Sequence, residues 1–535
     1  MNEHLFVTTS EGEHRLPFSP GLSIREILDA TKLRVRSSCG GIGACGQCRV
    51  RIDQGEVTSP TTTEMNRLGP ELIEQRFRLA CQVRPIQGVR ISMENPAPPS
   101  NWQAINDLDT LPQASVSAGE RRPARHGYGV AVDLGTTQIR VSLLDLATGK
   151  RLAGRSGLNP QALFGADVLT RLLAASESAQ RALEIGRLAV DAIGEALCDI
   201  TSREDIALHS INHLMVVGNT AMLCLLAAKN HGLLLLPDHW MQSIDCLPQA
   251  TAEWCKAWGL AAATPVELVP PLAGFVGSDL LAGVLATGLT TGPVGAMLID
   301  FGTNSEMALW DGEVVWVTSA AGGPAFEGCG ISCGMPAAPG AIYRAVMNGD
   351  NPAEFLFSVL GGGQAQGVCG SGLVDIIASL LRMGKLKKNG RLCPSIADRG
   401  VGLFQGEVPL ALKGQDIDAL QRAKAAIGAG VQCLLEQAGM RLDDLQRLCV
   451  CGAFGRYLDI TNAQDIGLLP AIPAAAIELC GNTALAGCER LLLSDDVKTV
   501  LQPLQHKCRS ANLSLVSEFE DLFVENLYLQ PMRSK

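Results

Sequence analysis

Four cysteines near the start of the chain have the spacing that redox or metal chemistry needs. Cys39, Cys45 and Cys48 form a C-x5-C-x2-C run, and Cys81 follows after a further 32 residues. Four thiolates satisfy the two irons of a [2Fe–2S] cluster. Gly40, Gly41, Gly43 and Gly46 let the intervening loop turn left-handed and aim backbone N–H groups at sulfur. Zinc knuckles pair two C-x2-C arms, and only one such arm occurs here. Cys39, Cys45, Cys48 and Cys81 are therefore the candidate metal ligands, and the cluster is the group that their spacing favours.

A second device recurs 167 residues apart. Tyr128-Gly-Val-Ala-Val-Asp133-Leu-Gly135-Thr136-Thr137 is an apolar strand ending in an acid and a tight turn; Ala296-Met-Leu-Ile-Asp300-Phe-Gly302-Thr303-Asn304-Ser-Glu306 repeats it. Each turn offers successive N–H groups and a hydroxyl to phosphate oxygens, with glycine permitting close approach. Asp133 and Asp300, at the strand ends, are placed to hold Mg²⁺ through water. Two such hairpins facing each other would clamp a triphosphate from both sides, which makes two facing lobes the expected architecture. Asp133, Asp300 and Glu306 are the candidate catalytic residues. Gly135, Thr136, Thr137, Gly302, Thr303 and Asn304 are candidate nucleotide-binding positions. A later apolar strand runs into Gly452-Ala453-Phe454-Gly455, whose small residues would let backbone lie against a purine or ribose. The chain contains no G-x4-G-K-[ST] sequence, which excludes the P-loop route to nucleotide.

The elements that must position these residues follow from the pattern. Residues 4–9 and 13–18 read as two short strands. Ser23 caps a short helix with Glu26 three residues on, and a strand follows over 49–52. The 535 residues are 47% hydrophobic and 18% charged, enough for several cores. The balance of 44 basic and 54 acidic residues gives −10, with no basic face for nucleic acid. The N-terminus lacks a secretory pattern. The uncharged run Leu280–Ile299 holds four glycines and a proline, so it reads as a buried helix and then a strand rather than a membrane span. The expected location is cytoplasmic. Fourteen of the 18 cysteines are scattered; neither Cys329 with Cys333 nor Cys449 with Cys451 has the spacing of a second cluster. His209 and His213 are read as structural, and Glu518–Leu529 as a helix packed on its lobe. Residues 95–126, with five prolines and a basic Arg121-Arg122/Arg125 group, read as a flexible tether of roughly 30 Å reach.

The cysteine loop resembles the [2Fe–2S] ferredoxins of β-grasp fold, in the adrenodoxin-like spacing. The paired Asp-Gly-Thr hairpins with the later Gly-Ala-Phe-Gly turn resemble the ASKHA fold of sugar kinases, heat-shock chaperones and actin. The chain as a whole resembles the RACo-type reductive activators of corrinoid proteins. Segments such as Val217-Gly-Asn-Thr-Ala-Met222, Gly323-Pro-Ala-Phe-Glu327-Gly and Cys369-Gly-Ser-Gly-Leu-Val-Asp375 carry that likeness. The resemblance implies a ferredoxin domain over 1–94, the tether, and a two-lobed ASKHA ATPase over 127–535 with lobes of about 127–290 and 291–535. It implies a [2Fe–2S] cluster, ATP and Mg²⁺ as cofactors. The implied reaction is ATP-driven reduction of Co(II) to Co(I) in a methyltransferase-system corrinoid protein, the electron coming from a ferredoxin- or flavodoxin-type donor. Neither nucleic acid nor membrane is an expected partner. One departure is expected: the first hairpin begins so soon after the tether that the family's middle domain reads as missing. Two other readings remain open on the residues alone, a small-molecule kinase using Glu306 or Asp279 as base, and a redox-gated ATP-binding sensor.

Overall fold

A computed structural model describes residues 3–9, 12–31, 33–36, 41, 43, 45–94, 96, 102–105, 126–328, 330–347, 355–362, 364–394, 396, 400–404, 410–452 and 457–532. Cys39, Ala453, Phe454, Gly455 and the basic group of the tether lie outside these residues. In the N-terminal domain a five-stranded mixed sheet runs in the order Gly12–Phe18, Glu3–Thr9, Pro85–Met93, Arg49–Val57, Phe77–Leu79. The helix Ile24–Asp29 starts at the expected cap, where Ser23 accepts from the Glu26 N–H and Glu26 reaches back to the Ser23 N–H. Leu5, Val7, Ile27, Val50, Ile52 and Ile91 form the core between sheet and helix. This is the expected β-grasp arrangement.

The rest of the chain is a duplication that shows in the strand order. One six-stranded sheet runs Val266–Leu268, Ile211–Gly218, Tyr128–Leu134, Gln138–Asp145, Arg151–Leu158, Gln103–Ala104. The other runs Ile477–Gly481, Arg447–Cys451, Ala296–Phe301, Ser305–Trp310, Val315–Ala320, Cys508–Ser510. The two hairpins read from the sequence occupy equivalent central places. The run Leu280–Ile299 divides as expected, into the helix Ser278–Thr287 and the strand from Ala296.

The lobes are tied by exchanged helices. Ser278–Thr287 follows the first sheet but packs Leu280, Leu281 and Val284 on the second. Thr483–Leu493 follows the second sheet but packs Leu485, Cys488 and Leu491 on the first. They meet where a Cβ on Gly487 would lie 2.0 Å from the Ala282 carbonyl oxygen. A side chain there must push the helices apart, so Gly487→Leu is expected to cost about 3 kcal/mol, measured by denaturant unfolding.

The tether is anchored along part of its length, which corrects its reading as uniformly flexible. Gln103 and Ala104 pair antiparallel with Ser156 and Arg155 at the sheet edge. Trp102 is buried, and a Cβ on Gly157 would meet its ring at 2.6 Å. A two-residue edge strand carries no periodic signal, which is why composition alone reads it as coil.

The C-terminal helix Phe519–Asn526 packs on the long helix Gly414–Gln437 as expected. Lys424 of the long helix is 1% exposed and donates to the carbonyl oxygens of Tyr528, at 2.8 Å, and Asn526. Burial pulls its ammonium down to about 7 from 10.5. The unfolded chain therefore holds one proton more than the folded one between those values. Stability gains from this residue as pH rises through that window, and the charged form is fully penalised below it. Relative to Lys424→Met, the wild-type lobe is expected to gain up to about 1.4 kcal/mol per pH unit from pH 7 to 10, measured by parallel denaturant titrations.

Candidate functional site

Both hairpins open into one cavity of about 550 Å³, lined by Gly135, Thr136 and Thr137 on one side and Gly302, Thr303 and Asn304 on the other. The turns are tight because the Gly135 N–H reaches the Gln138 carbonyl at 3.0 Å and the Gly302 N–H reaches that of Asn304 at 3.1 Å. They also touch: the hydroxyls of Thr137 and Thr303 are 2.9 Å apart. Both donate to one carboxylate oxygen of Glu327, at 2.9 and 2.7 Å. Glu327 occupies the place between two phosphate nests where an anionic phosphate oxygen would accept the same hydroxyls.

Behind the turns, four carboxylates gather. Burial, and then the Asp133 carboxylate, push Asp279 and Asp300 each up to about 7. Burial, followed by Asp279 and Asp300, pushes Glu306 well above the carboxylate range. Burial also raises Asp133, against the pull of Arg140 at 3.6 Å and an Asn482 amide donating at 2.7 Å. Carboxylates around a polar cavity suit a hard divalent cation that keeps its water shell, so these residues fit Mg²⁺ held through water rather than by direct convergence of their oxygens. Gly452 closes the floor with φ of 89°, where a Cβ would lie 2.4 Å from the Phe301 carbonyl oxygen. The structure thus brings together Asp133, Asp300, Glu306, the six hairpin positions and Gly452.

In the N-terminal domain Cys48 Sγ lies 3.3 Å from Cys81 Sγ, and Cys45 sits at the turn before them. Gly41, Gly43 and Gly46 all have positive φ, at 93°, 84° and 74°. A Cβ on Gly43 would strike Thr63 at 2.6 Å, so the loop is shaped around glycine. The strand that leads to Cys81 is held by the fully buried Glu64, which accepts from Arg78 at 2.9 and 2.8 Å and from the Leu79 N–H at 3.1 Å. Convergent thiols in a glycine cradle fit the [2Fe–2S] group.

The domain is docked on the first lobe. The helix Ala179–Glu204 ends against it, presenting Asp199, Glu204 and the last-turn carbonyls, a negative helix terminus suited to cations. Arg34 reaches both Asp199 oxygens, at 3.1 and 2.9 Å; Arg36 donates to the Ser202 carbonyl at 2.8 Å; Gln47, inside the cysteine loop, donates to Asp205 at 2.9 Å. Across the cleft Pro17 faces Gly362 of the second lobe. Leu22, Glu26, Asp29 and Thr31 line the same cavity as the nucleotide hairpins, so the domain caps the mouth of the clamp.

Sequence reading missed two contributions, Glu327 and Asn482, which lie outside both hairpins and acquire their roles only through the fold; Asp279, read only as an alternative kinase base, joins the carboxylate group. Cys449 and Cys451 gather with Cys480 on one strand pair. All three are buried within the core behind Asp300, and Glu478 beside them is held by Arg447 at 2.8 Å through both oxygens. His213 is buried on a strand with Nε2 at 2.9 Å from Glu267, the structural role expected of it. No helix of the described residues is long and apolar enough to cross a membrane.

A ferredoxin domain docked on a duplicated nucleotide clamp defines the class: an iron–sulfur protein joined to an ASKHA ATPase. Residues 7–85 match the 2Fe-2S iron-sulfur cluster binding domain, 128–292 the RACo middle region, and 295–535 the C-terminal ASKHA domain of RACo. The chain is 31% identical over 423 residues to the corrinoid activation enzyme RamQ of Eubacterium limosum, covering 75% of this chain and 70% of that protein. It is 28% identical over 405 residues to the [Co(II) methylated amine-specific corrinoid protein] reductase of Methanosarcina barkeri, covering 69% and 71%. Among solved structures it resembles a reductive activator for corrinoid, iron-sulfur protein, with 25% identity, a TM-score of 0.69 and 99% of both chains covered. The chain belongs to the family of RACo-type reductive activators of corrinoid proteins, enzymes that pair a [2Fe–2S] domain with an ASKHA ATPase. One expectation is corrected: the middle region is present, and it is the segment read as the first lobe. Its sheet and opening hairpin match those of the C-terminal domain place for place, so the middle region also supplies one side of the clamp.

Proposed function

We propose that this chain uses ATP to return the cobalt of an inactivated methyltransferase-system corrinoid protein from Co(II) to Co(I), taking one electron from a ferredoxin- or flavodoxin-type donor. The observation that carries the reading is the single cavity shared by the nucleotide hairpins and the ferredoxin domain. When bound, the cluster supplies a one-electron carrier and MgATP the free energy for an uphill transfer. Asp133, Asp279, Asp300 and Glu306 would hold hydrated Mg²⁺ through water; Cys39, Cys45, Cys48 and Cys81 would hold the cluster. Thr137 and Thr303 exchange their shared Glu327 partner for phosphate oxygens, which frees the Glu327 carboxylate. The exchanged helices carry the resulting shift between sheets, a hinge-type closure. Because the ferredoxin domain contacts both lobes, its seat changes as the lobes move.

The test is anaerobic incubation of the holoprotein with MgATP, a low-potential reductant and a Co(II) corrinoid protein, followed by cobalt spectroscopy. Growth of the Co(I) absorption with loss of the Co(II) paramagnetic signal, both dependent on ATP, is the expected result. Formation of ADP with a phosphorylated small molecule would establish a kinase instead, and absence of any turnover a sensor.

A further inference from the structure

The docking face between the ferredoxin domain and the first lobe is a buried charge network with an imbalance. Arg25 and Arg34 from one side and Arg155 and Arg203 from the other surround Asp29, Asp199 and Glu204, and none of these side chains is more than 12% exposed. Arg155 pairs with Asp199, and Arg203 with Asp29. Glu204 is fully buried; one oxygen receives Arg25 at 3.2 Å, with Arg155 and Arg203 at 3.9 and 4.0 Å. Its other oxygen has no hydrogen-bond partner among the described residues. Four cations and three anions leave this pocket with a positive excess.

Arg25, on the helix Ile24–Asp29, also borders the cysteine loop. Its Nη1 lies 3.5 Å from where a Gly41 Cβ would stand, and that point is 3.9 Å from Cys81 Cβ. Its backbone N–H donates to the Ala80 carbonyl at 2.8 Å, immediately before Cys81. One guanidinium therefore stands between the loop that receives an electron and the carboxylate that docks the domain. A low-dielectric setting makes its choice of partner sensitive to charge on either side.

Resting on the reading that these cysteines hold a cluster, we infer that Arg25 and Glu204 are positioning residues that couple the redox state of the cysteine site to docking. One electron arriving from the low-potential donor adds one negative charge beside Arg25, with no bond made or broken. Arg25 is drawn toward the loop, its bond to Glu204 weakens, and the domain loosens from the lobe. By reciprocity, docking commits Arg25 to Glu204 and lowers the reduction potential of the cysteine site. The docked domain is the stronger reductant. The separated domain accepts an electron more readily.

The experiment is potentiometric titration of the full-length holoprotein followed by paramagnetic resonance, with small-angle scattering of the oxidised and Ti(III)-citrate-reduced forms. Arg25→Gln is expected to lower the midpoint potential, and Arg25→Lys to restore most of it. Glu204→Gln is expected to raise it. Arg34→Gln breaks docking through Asp199 without touching Arg25, and it too is expected to raise the potential. A simple loss of positive charge would lower it. Reduction of the wild type is expected to increase the radius of gyration, a tenfold loosening corresponding to about 59 mV for one electron. A wild-type potential in both Glu204→Gln and Arg34→Gln, or identical scattering of the two redox forms, overturns the inference. Protein that binds no cluster defeats the underlying reading instead, a result seen before any titration begins.

Discussion

Asp300→Asn is expected to stop ATP turnover, by roughly 10²–10³-fold, while raising the thermal midpoint of the nucleotide-free protein. Asparagine keeps the shape of the side chain, so the packing of the Ala296–Phe301 strand survives. What changes is charge. Asp133 and Glu306 are buried with Asp279 and Asp300 half-buried beside them, and each of Asp279, Asp300 and Glu306 is pushed upward by carboxylate neighbours as well as by burial. In the absence of a cation this repulsion works against the fold, and removing one carboxylate relieves it. With MgATP present the same oxygen would serve the cation, so its loss falls on turnover. Opposite signs in the two measurements separate a site residue from a structural one, for which stability and activity fall together. Paired melting curves with and without MgATP, with steady-state phosphate release, supply the check: nucleotide is expected to stabilise the wild type more than the variant.

What the sequence made legible was local. Cys45, Cys48 and Cys81 are recognisable because a cluster loop must be glycine-rich and closely spaced, and Gly41, Gly43 and Gly46 do take the left-handed angles their positions imply. The hairpins at Asp133 and Asp300 are recognisable because strand, acid and tight turn are contiguous in the chain. The Ser23–Glu26 capping box is likewise written within four residues. The unread parts are made by topology. Glu327 lies 190 residues from Thr137, and Asn482 lies 349 from Asp133; nothing near either residue marks it as a partner. Arg25, Arg34, Asp199 and Glu204 look like ordinary surface charge until a domain interface buries them. The presence of the middle region was misjudged for the reverse reason, since its opening hairpin looks locally like the C-terminal one. Duplication makes lobes easy to find and family boundaries hard to draw.

Cys48→Ala is expected to remove the visible absorption and the paramagnetic signal of the [2Fe–2S] group and to abolish Co(I) formation, leaving ATP hydrolysis close to wild type. Cys48 is fully buried at the point where the cysteine loop enters the Arg49–Val57 strand, and its carbonyl accepts from the Ala80 N–H at 2.8 Å. Its sulfur is thereby held beside that of Cys81 by backbone pairing rather than by side-chain contacts alone. Alanine keeps this backbone and deletes the thiolate, and a cluster cannot be retained with the second iron short of a ligand. The nucleotide site draws its carboxylates and hydroxyls from residues 133–327, with Gly452 and Asn482, so its chemistry does not pass through Cys48. The domain retains its own core of Leu5, Val7, Ile52 and Ile91 and can stay folded without metal. Electron delivery lost with hydrolysis intact would place the two functions on separate residues that meet only at the mouth of the cavity. Iron content, phosphate release and the cobalt spectrum, measured on one preparation, decide it; hydrolysis that fell with the iron would mean that the clamp cannot work without its cap.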